Sequence, residues 1–168
     1  MVKQQIRDYW RLFCSLLFSF LYAPHLLIVI IMDKKMIFSD ILRMRTHEHI
    51  KLGKWTGLIF FLHTNSYFRT LFYHRIGAIP ATLIGWYRPG NRYFTISFTT
   101  KIGAGMLLSH PYATILNAES IGENFSCIHC TTLGAKSNGR PVIGDNVSLG
   151  ASVTIVGHVR IGNNVTIG

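Results

Sequence analysis

An apolar residue returns at every sixth position near the C-terminal end of this 168-residue chain: Ile143, Leu149, Ile155, Ile161 and Ile167, all but Ile155 followed directly by Gly. Val147, Val153, Val159 and Val165 keep the same interval, each four residues after its Ile or Leu. An amphipathic helix wants apolar residues every three or four positions and a half-buried strand every two, so a period of six fits neither alone. It fits a parallel β-helix of hexapeptide repeats, in which each short strand sends one aliphatic side chain inward before the chain turns a corner. No single repeat buries its own apolar face, so stacked coils must supply the core.

The register extends upstream. Ile115, Ile121, Cys127 and Leu133 form a second run of sixes, and Ile96, Ile102 and Leu108 a third. One extra residue separates Leu108 from Ile115, and four separate Leu133 from Ile143. Insertions in a solenoid map to surface loops, often on the binding face. The first interruption holds Ser109, His110 and Pro111, and the second spans residues 135–141.

Ahead of the coils the chain changes character. Residues 1–94 are predicted to form a basic helical region and residues 95–168 the β-helix, an α+β architecture in which the helices cap the open end of the solenoid. Between residues 36 and 87 the pattern is helical: Tyr67, Phe68, Leu71, Phe72 and Ile76 share a face, and Gly77 and Pro80 are expected to stop it. Residues 1–100 hold thirteen Lys or Arg against four Asp or Glu, a net charge of +9, whereas residues 101–168 hold four against three. Such a basic half seeks anionic membrane or phosphorylated ligands. No nucleic-acid motif accompanies the charge, so nucleic acid is not an expected partner.

Residues 12–32 contain no Asp, Glu, Lys or Arg, and about 20 apolar residues suffice to cross a bilayer. Pro24 and His25 stand in the middle, where they break backbone hydrogen bonding and place a polar ring in hydrocarbon. The stretch therefore reads as helix, turn, helix, either buried or resting on the membrane face with Lys34 and Lys35 at the headgroups, and a span is the alternative. Cys14, Cys127 and Cys130 are few and odd in number, which points to a reducing compartment. The Cys127 and Cys130 spacing suits a metal pair, but the register turns Cys127 inward and no second pair completes four ligands, so no metal is expected.

From Ile102 onward the chain resembles the bacterial serine acetyltransferase family and its relatives in surface-polysaccharide gene clusters. The resemblance rests on His110 in Leu-Leu-Ser-His-Pro, on Thr131-Thr132-Leu133-Gly134 and on Ile143-Gly144-Asp145-Asn146. Tyr67-Phe68-Arg69 and Tyr73-His74-Arg75-Ile76-Gly77 are similar to the helical lead-in of those proteins. The resemblance implies a left-handed β-helix, a homotrimer or dimer of trimers, and acetyl transfer from acetyl-CoA to a hydroxyl of L-serine or of a sugar, in the cytoplasm or at the inner face of the membrane.

The family's general base maps onto His110. An alcohol is too weak an acid to attack a thioester unaided, and a positioned imidazole supplies ~10²–10⁴ in rate, roughly 3–5 kcal/mol of barrier. His129, which projects outward from a neighbouring coil, is the rival base and a candidate substrate contact; Arg140 is a second substrate candidate. Gly134, Gly150 and Ala151 match positions where a small side chain admits the pantetheine arm, and Lys136 offers a charge for its phosphates. Two departures stand out. Ser109 occupies the place of an aspartate that helps hold the serine amine, and Gly139-Arg140-Pro141 replaces an Arg-His-Pro triplet. Losing a carboxylate beside a bound ammonium forfeits roughly 1.5–3 kcal/mol, which an acceptor with hydroxyls alone would not feel. The repeats are still running at Gly168, which gives the expectation of a C-terminal truncation; a non-catalytic solenoid scaffold or membrane-associated subunit is the second reading.

Overall fold

In the computed structural model, which describes residues 2–168, six helices lead into three parallel sheets of four strands each. The helices are α1 (Val2–Leu17), α2 (Ala23–Ile31), α3 (Lys35–His47), α4 (Lys54–Thr64), α5 (Ser66–Ile76) and α6 (Ala78–Gly85), with a 3₁₀ turn, Ser19–Tyr22, between the first two. Asn65 caps α5 by accepting the Phe68 N–H at 3.0 Å, and Gly77 ends it with φ +86°. Pro80 does not act as a stop. It lies in the first turn of α6, where its missing N–H costs no helical hydrogen bond.

Each coil of the solenoid contributes one strand to each sheet. The first sheet stacks β1 (Phe94–Ile96), β4 (Thr114–Leu116), β7 (Thr132–Gly134) and β10 (Thr154–Val156). The second stacks β2 (Lys101–Ile102), β5 (Ser120–Ile121), β8 (Val142–Ile143) and β11 (Arg160–Ile161). The third stacks β3 (Leu107–Leu108), β6 (Ser126–Cys127), β9 (Ser148–Leu149) and β12 (Thr166–Ile167). Every pairing is parallel, as the period of six requires of a coil with three sides.

The expected inward column holds with one correction. Ile102, Leu108, Ile121, Cys127, Leu133, Ile143 and Leu149 are buried, but Ile115 is 48% exposed and its neighbour Leu116 is fully buried. Leu116 pairs with Ile96 on one side and Leu133 on the other, so the first interruption adds two residues and the following turn gives one back. Burial decides this, because shifting a strand by one residue exchanges its two faces. Val147 and Val153 are buried, whereas Val159 is 38% exposed.

At the corner between the second and third sheets, Asn124, Asn146 and Asn164 adopt φ of 56°, 56° and 59°. Asparagine tolerates this left-handed conformation better than most residues. Their side chains form a ladder, Asn124 Nδ2 donating to Asn146 Oδ1 at 3.0 Å and Asn146 Nδ2 to Asn164 Oδ1 at 2.9 Å. On the same corner a Cβ at Gly122 would lie 2.6 Å from the Gly144 carbonyl carbon, which explains the glycine after the inward aliphatic.

The helices form a second core around Tyr22, Phe60, Phe61, Phe68 and Phe72. Helix α5 serves both cores: Phe68, Phe72 and Ile76 face the helices, while Leu71, with Tyr67 against it, joins the solenoid core. Polar groups lock the two parts together. Arg75 pairs with Asp40 at 2.9 and 3.1 Å and donates to the Ile102 and Gly103 carbonyls at 2.6 and 2.7 Å. Asp40 also accepts the Met106 N–H at 2.8 Å, and Arg43 reaches the Gly105 and Phe125 carbonyls. His25 is fully buried within the helical core, its Nε2 2.9 Å from the Tyr73 hydroxyl. Burial, with Arg69 and Arg88 adding repulsion, pushes its pKa down to about 4.

Candidate active site

His110 sits in the turn from β3 to β4, exposed, with φ +52°. Such a conformation is uncommon outside glycine, and a residue held in it marks a turn constrained by its surroundings. The constraint is visible: the His110 carbonyl accepts the Tyr112 N–H at 2.7 Å, and the Tyr112 carbonyl accepts the Cys130 N–H of the next coil at 2.8 Å. Pro111 beside it is buried, so the turn is anchored on one side and leaves the ring in solvent on the other.

His129 occupies the same corner one coil further on. Leu108 pairs with Cys127 and Cys127 with Leu149, so His110, His129 and Ala151, each two residues past those positions, stack in register. All three are exposed. The Ser152 N–H donates to the His129 carbonyl at 3.1 Å, fixing that backbone from the third coil. One corner of the prism thus presents two imidazoles above a methyl group, an arrangement suited to a base beside a narrow, uncharged contact surface. Among the described residues no carboxylate pairs with either ring.

A residue with no local signature pointing to this place completes the corner. Helix α3 ends at His47, whose Nε2 lies 3.5 Å from the Ser109 hydroxyl. Sixty-two positions separate the two residues, and no local pattern connects them. The position where the resemblance implies an aspartate therefore holds a neutral hydroxyl facing a histidine of the helical cap.

The expected cofactor residues divide between two corners: Gly150 and Ala151 belong to the His110 corner, and Gly134 and Lys136 do not. Gly134 ends β7, and Lys136 and the substrate candidate Arg140 lie in the β7–β8 turn, at the opposite end of the first sheet from the His110 corner. There, Lys136 and Gly139 exchange backbone hydrogen bonds at 2.9 and 3.0 Å, closing a small hairpin. Arg140 donates to the Thr99 hydroxyl at 2.6 Å, which holds its guanidinium along the corner. Lys136 is exposed and Gly139 packs on His158, 3.3 Å from where a Cβ would stand. Gly134 faces Val156 of the next coil at a similar 3.3 Å. For Gly150 the close approach has a different owner: a Cβ there would meet the Gly168 backbone at 3.0 Å, so its small size serves coil stacking.

Cys127 is buried and its thiol is pushed up to about 12, while Cys130 is exposed at the corner. They point to different environments, and among the described residues no group of three or more His, Cys, Asp or Glu could hold a metal.

Comparison with known proteins gives the same architecture. Residues 140–168 match the family described as Bacterial transferase hexapeptide (six repeats). The probable serine acetyltransferase 1 of Oryza sativa subsp. japonica is 43% identical over 65 residues, covering 36% of this chain and 22% of that protein. The serine acetyltransferase of Staphylococcus aureus is 34% identical over 86 residues, covering 46% and 40%. The chain thus spans less than half the length of these relatives. Among solved structures, serine acetyltransferase from Neisseria gonorrhoeae superposes with a TM-score of 0.64 at 25% identity, over 88% of this chain and 60% of that one. The same enzyme in complex with serine gives 0.62 at 26%, over 80% and 59%, and a serine acetyltransferase in complex with CoA shares the fold with 0.62 at 19%, over 84% and 63%. In its repeats, its local sequence and its architecture, the chain is a hexapeptide-repeat protein similar to the serine acetyltransferases.

Proposed function

We propose that this chain carries an acetyl-CoA-dependent O-acetyltransferase site in which His110 is the general base. The observation that carries the reading is the His110 corner itself: an exposed imidazole on a backbone fixed from two coils, in a solenoid similar to enzymes of that activity. In the proposed reaction the acceptor hydroxyl loses its proton to His110 as its oxygen attacks the thioester carbonyl. The carbonyl re-forms as the C–S bond breaks, and the proton passes to the departing thiolate to give CoA and an O-acetyl product. Removing the base costs ~10²–10⁴ in rate, roughly 3–5 kcal/mol.

The separation of the two corners supports assembly from several copies. His110 and the 135–141 hairpin flank one sheet and lie at its opposite ends, so a single site using both takes them from two copies. Closed three-fold symmetry provides three such sites at once. In that assembly Lys136 meets the phosphates of CoA, Gly134 and Ala151 line the pantetheine arm, and His129 and Arg140 touch the acceptor. The free thiols suit the cytoplasm, where acetyl-CoA is available.

L-Serine is the acceptor that the relatives' names support. A sugar hydroxyl is the second reading, favoured by Ser109, whose hydroxyl faces His47 where an amine-binding carboxylate is wanted. Release of CoA from acetyl-CoA, followed with a thiol reagent against L-serine and a panel of monosaccharides, distinguishes them. His110→Ala should lower kcat/KM ~10²–10⁴-fold with the preferred acceptor; undiminished turnover removes His110 from the chemistry.

A further inference from the structure

Three helices of the cap turn apolar arcs to solvent. On α1, Tyr9, Trp10, Phe13, Leu16 and Leu17 are exposed, Trp10 by 64% and Phe13 by 56%. At 3.6 residues per turn they share an arc of about 120°, and Phe20 continues the series in the 3₁₀ turn. The opposite side of α1 packs on α4, with Ser15 fully buried. On α2, Leu27, Ile30 and Ile31 face outward, while His25 and Val29 are fully buried beneath them. On α6, which packs against α2, Ile79 and Leu83 are exposed, and Trp86 just past its end is exposed by 79%. A water-soluble surface helix has the reverse pattern, with its apolar stripe inward and charge outward. Exposed apolar surface on this scale marks an interaction site.

Charge selects the occupant. Arg7 is exposed beside the apolar arc of α1, and Lys34 and Lys35 follow α2. Arg11 and Arg88 turn inward instead, over the rings of Phe60 and Tyr22 at 5.3 and 5.2 Å. A second copy of the chain would bring one basic half, net +9 over residues 1–100, against another. An anionic bilayer answers both the apolar arcs and their cationic borders, with aromatic rings at the headgroup level. The inner faces argue for lying on the bilayer instead of crossing it. No single described helix is long and apolar enough to span, the Tyr9–Leu17 and Ser19–Ile31 segments meet at 67°, and the buried His25 ties α2 to Tyr73 of the cap.

We infer that the outward faces of α1, α2 and α6 form an interfacial docking surface for an anionic phospholipid bilayer, holding the solenoid at the membrane without spanning it. The surface lies outside the proposed catalytic corner and its test needs no activity. The full chain is mixed with vesicles of phosphatidylcholine alone, or with phosphatidylglycerol added, and floated on a density gradient. Binding is expected to the anionic vesicles, to weaken by about fivefold for each basic border residue neutralised, and to be stripped by alkaline carbonate. Trp10→Ser with Phe13→Ser, both solvent-facing, should lower partitioning roughly a hundredfold while circular dichroism and the melting temperature stay unchanged. Absence of flotation with anionic vesicles overturns the inference, as does undiminished flotation of the double variant. Resistance to carbonate shows a span instead. Concentration-dependent self-association lost in the double variant, without vesicle binding, assigns the face to a second copy.

Discussion

The joint between cap and solenoid turns on one buried ion pair, and its removal has a calculable cost. Arg75 and Asp40 side chains are 5% and 1% exposed, and the guanidinium spends its donors on the carboxylate and on the Ile102 and Gly103 carbonyls of the first coil. Asp40→Ala deletes two charge-assisted hydrogen bonds, leaves Arg75 buried without a counter-charge and takes the acceptor from the Met106 N–H. Breaking a buried pair from one side costs about 3–5 kcal/mol. With an m-value of ~2 kcal/mol/M in urea, the unfolding midpoint should fall by roughly 2 M at unchanged slope. Asp40→Leu combined with Arg75→Met removes both charges and fills the space, so it should stay within about 1–2 kcal/mol of the parent. Urea titration followed by circular dichroism measures all three proteins. A loss under 1 kcal/mol for Asp40→Ala, or a double variant no better than the single, shows that the pair does not couple the two cores.

Two further outcomes follow from individual residues. Gly122→Ala sets a Cβ 2.6 Å from the Gly144 carbonyl carbon, an overlap that only backbone movement relieves, so it should destabilise the solenoid by at least ~1–3 kcal/mol; a melting temperature equal to that of the parent contradicts the close coil approach. His25 has a folded pKa near 4 against 6.5 in the unfolded chain, so the neutral ring is favoured by folding. Its stabilising share is whole above pH 6.5 and is lost as pH falls toward 4, by at most ~3 kcal/mol. His25→Gln, which keeps a partner for the Tyr73 hydroxyl, should flatten stability against pH across that window, and an unchanged acid limb assigns it to other groups.

The solenoid was readable because its period is a direct consequence of its geometry. Each coil has three short sides, each side turns one aliphatic inward, and the interval of six records both. The reading failed at Ile115, where Leu116 is the inward residue. Two adjacent aliphatics satisfy the pattern equally well, and only the paired strands decide between them. Likewise Gly134 and Gly150 both looked like cofactor contacts, and only the neighbouring coil shows that Gly150 makes room for Gly168. The candidate base His110 was legible through the break in register around it.

Other parts of the site had no local signature. His47 meets Ser109 because α3 docks on β3, and the distance of His110 from the 135–141 hairpin is a property of the triangular section, invisible in a linear order. The apolar run of residues 12–32 announced a membrane or a core without saying which. The order of residues alone carries the period of six and the basic front half and points to His110 as the candidate base; packing chose which face of each helix is buried. Periodicity specifies a repeating backbone because every repeat solves the same local problem, whereas the orientation of helices, and so the residues left to meet a partner, depends on contacts between positions that no local pattern relates.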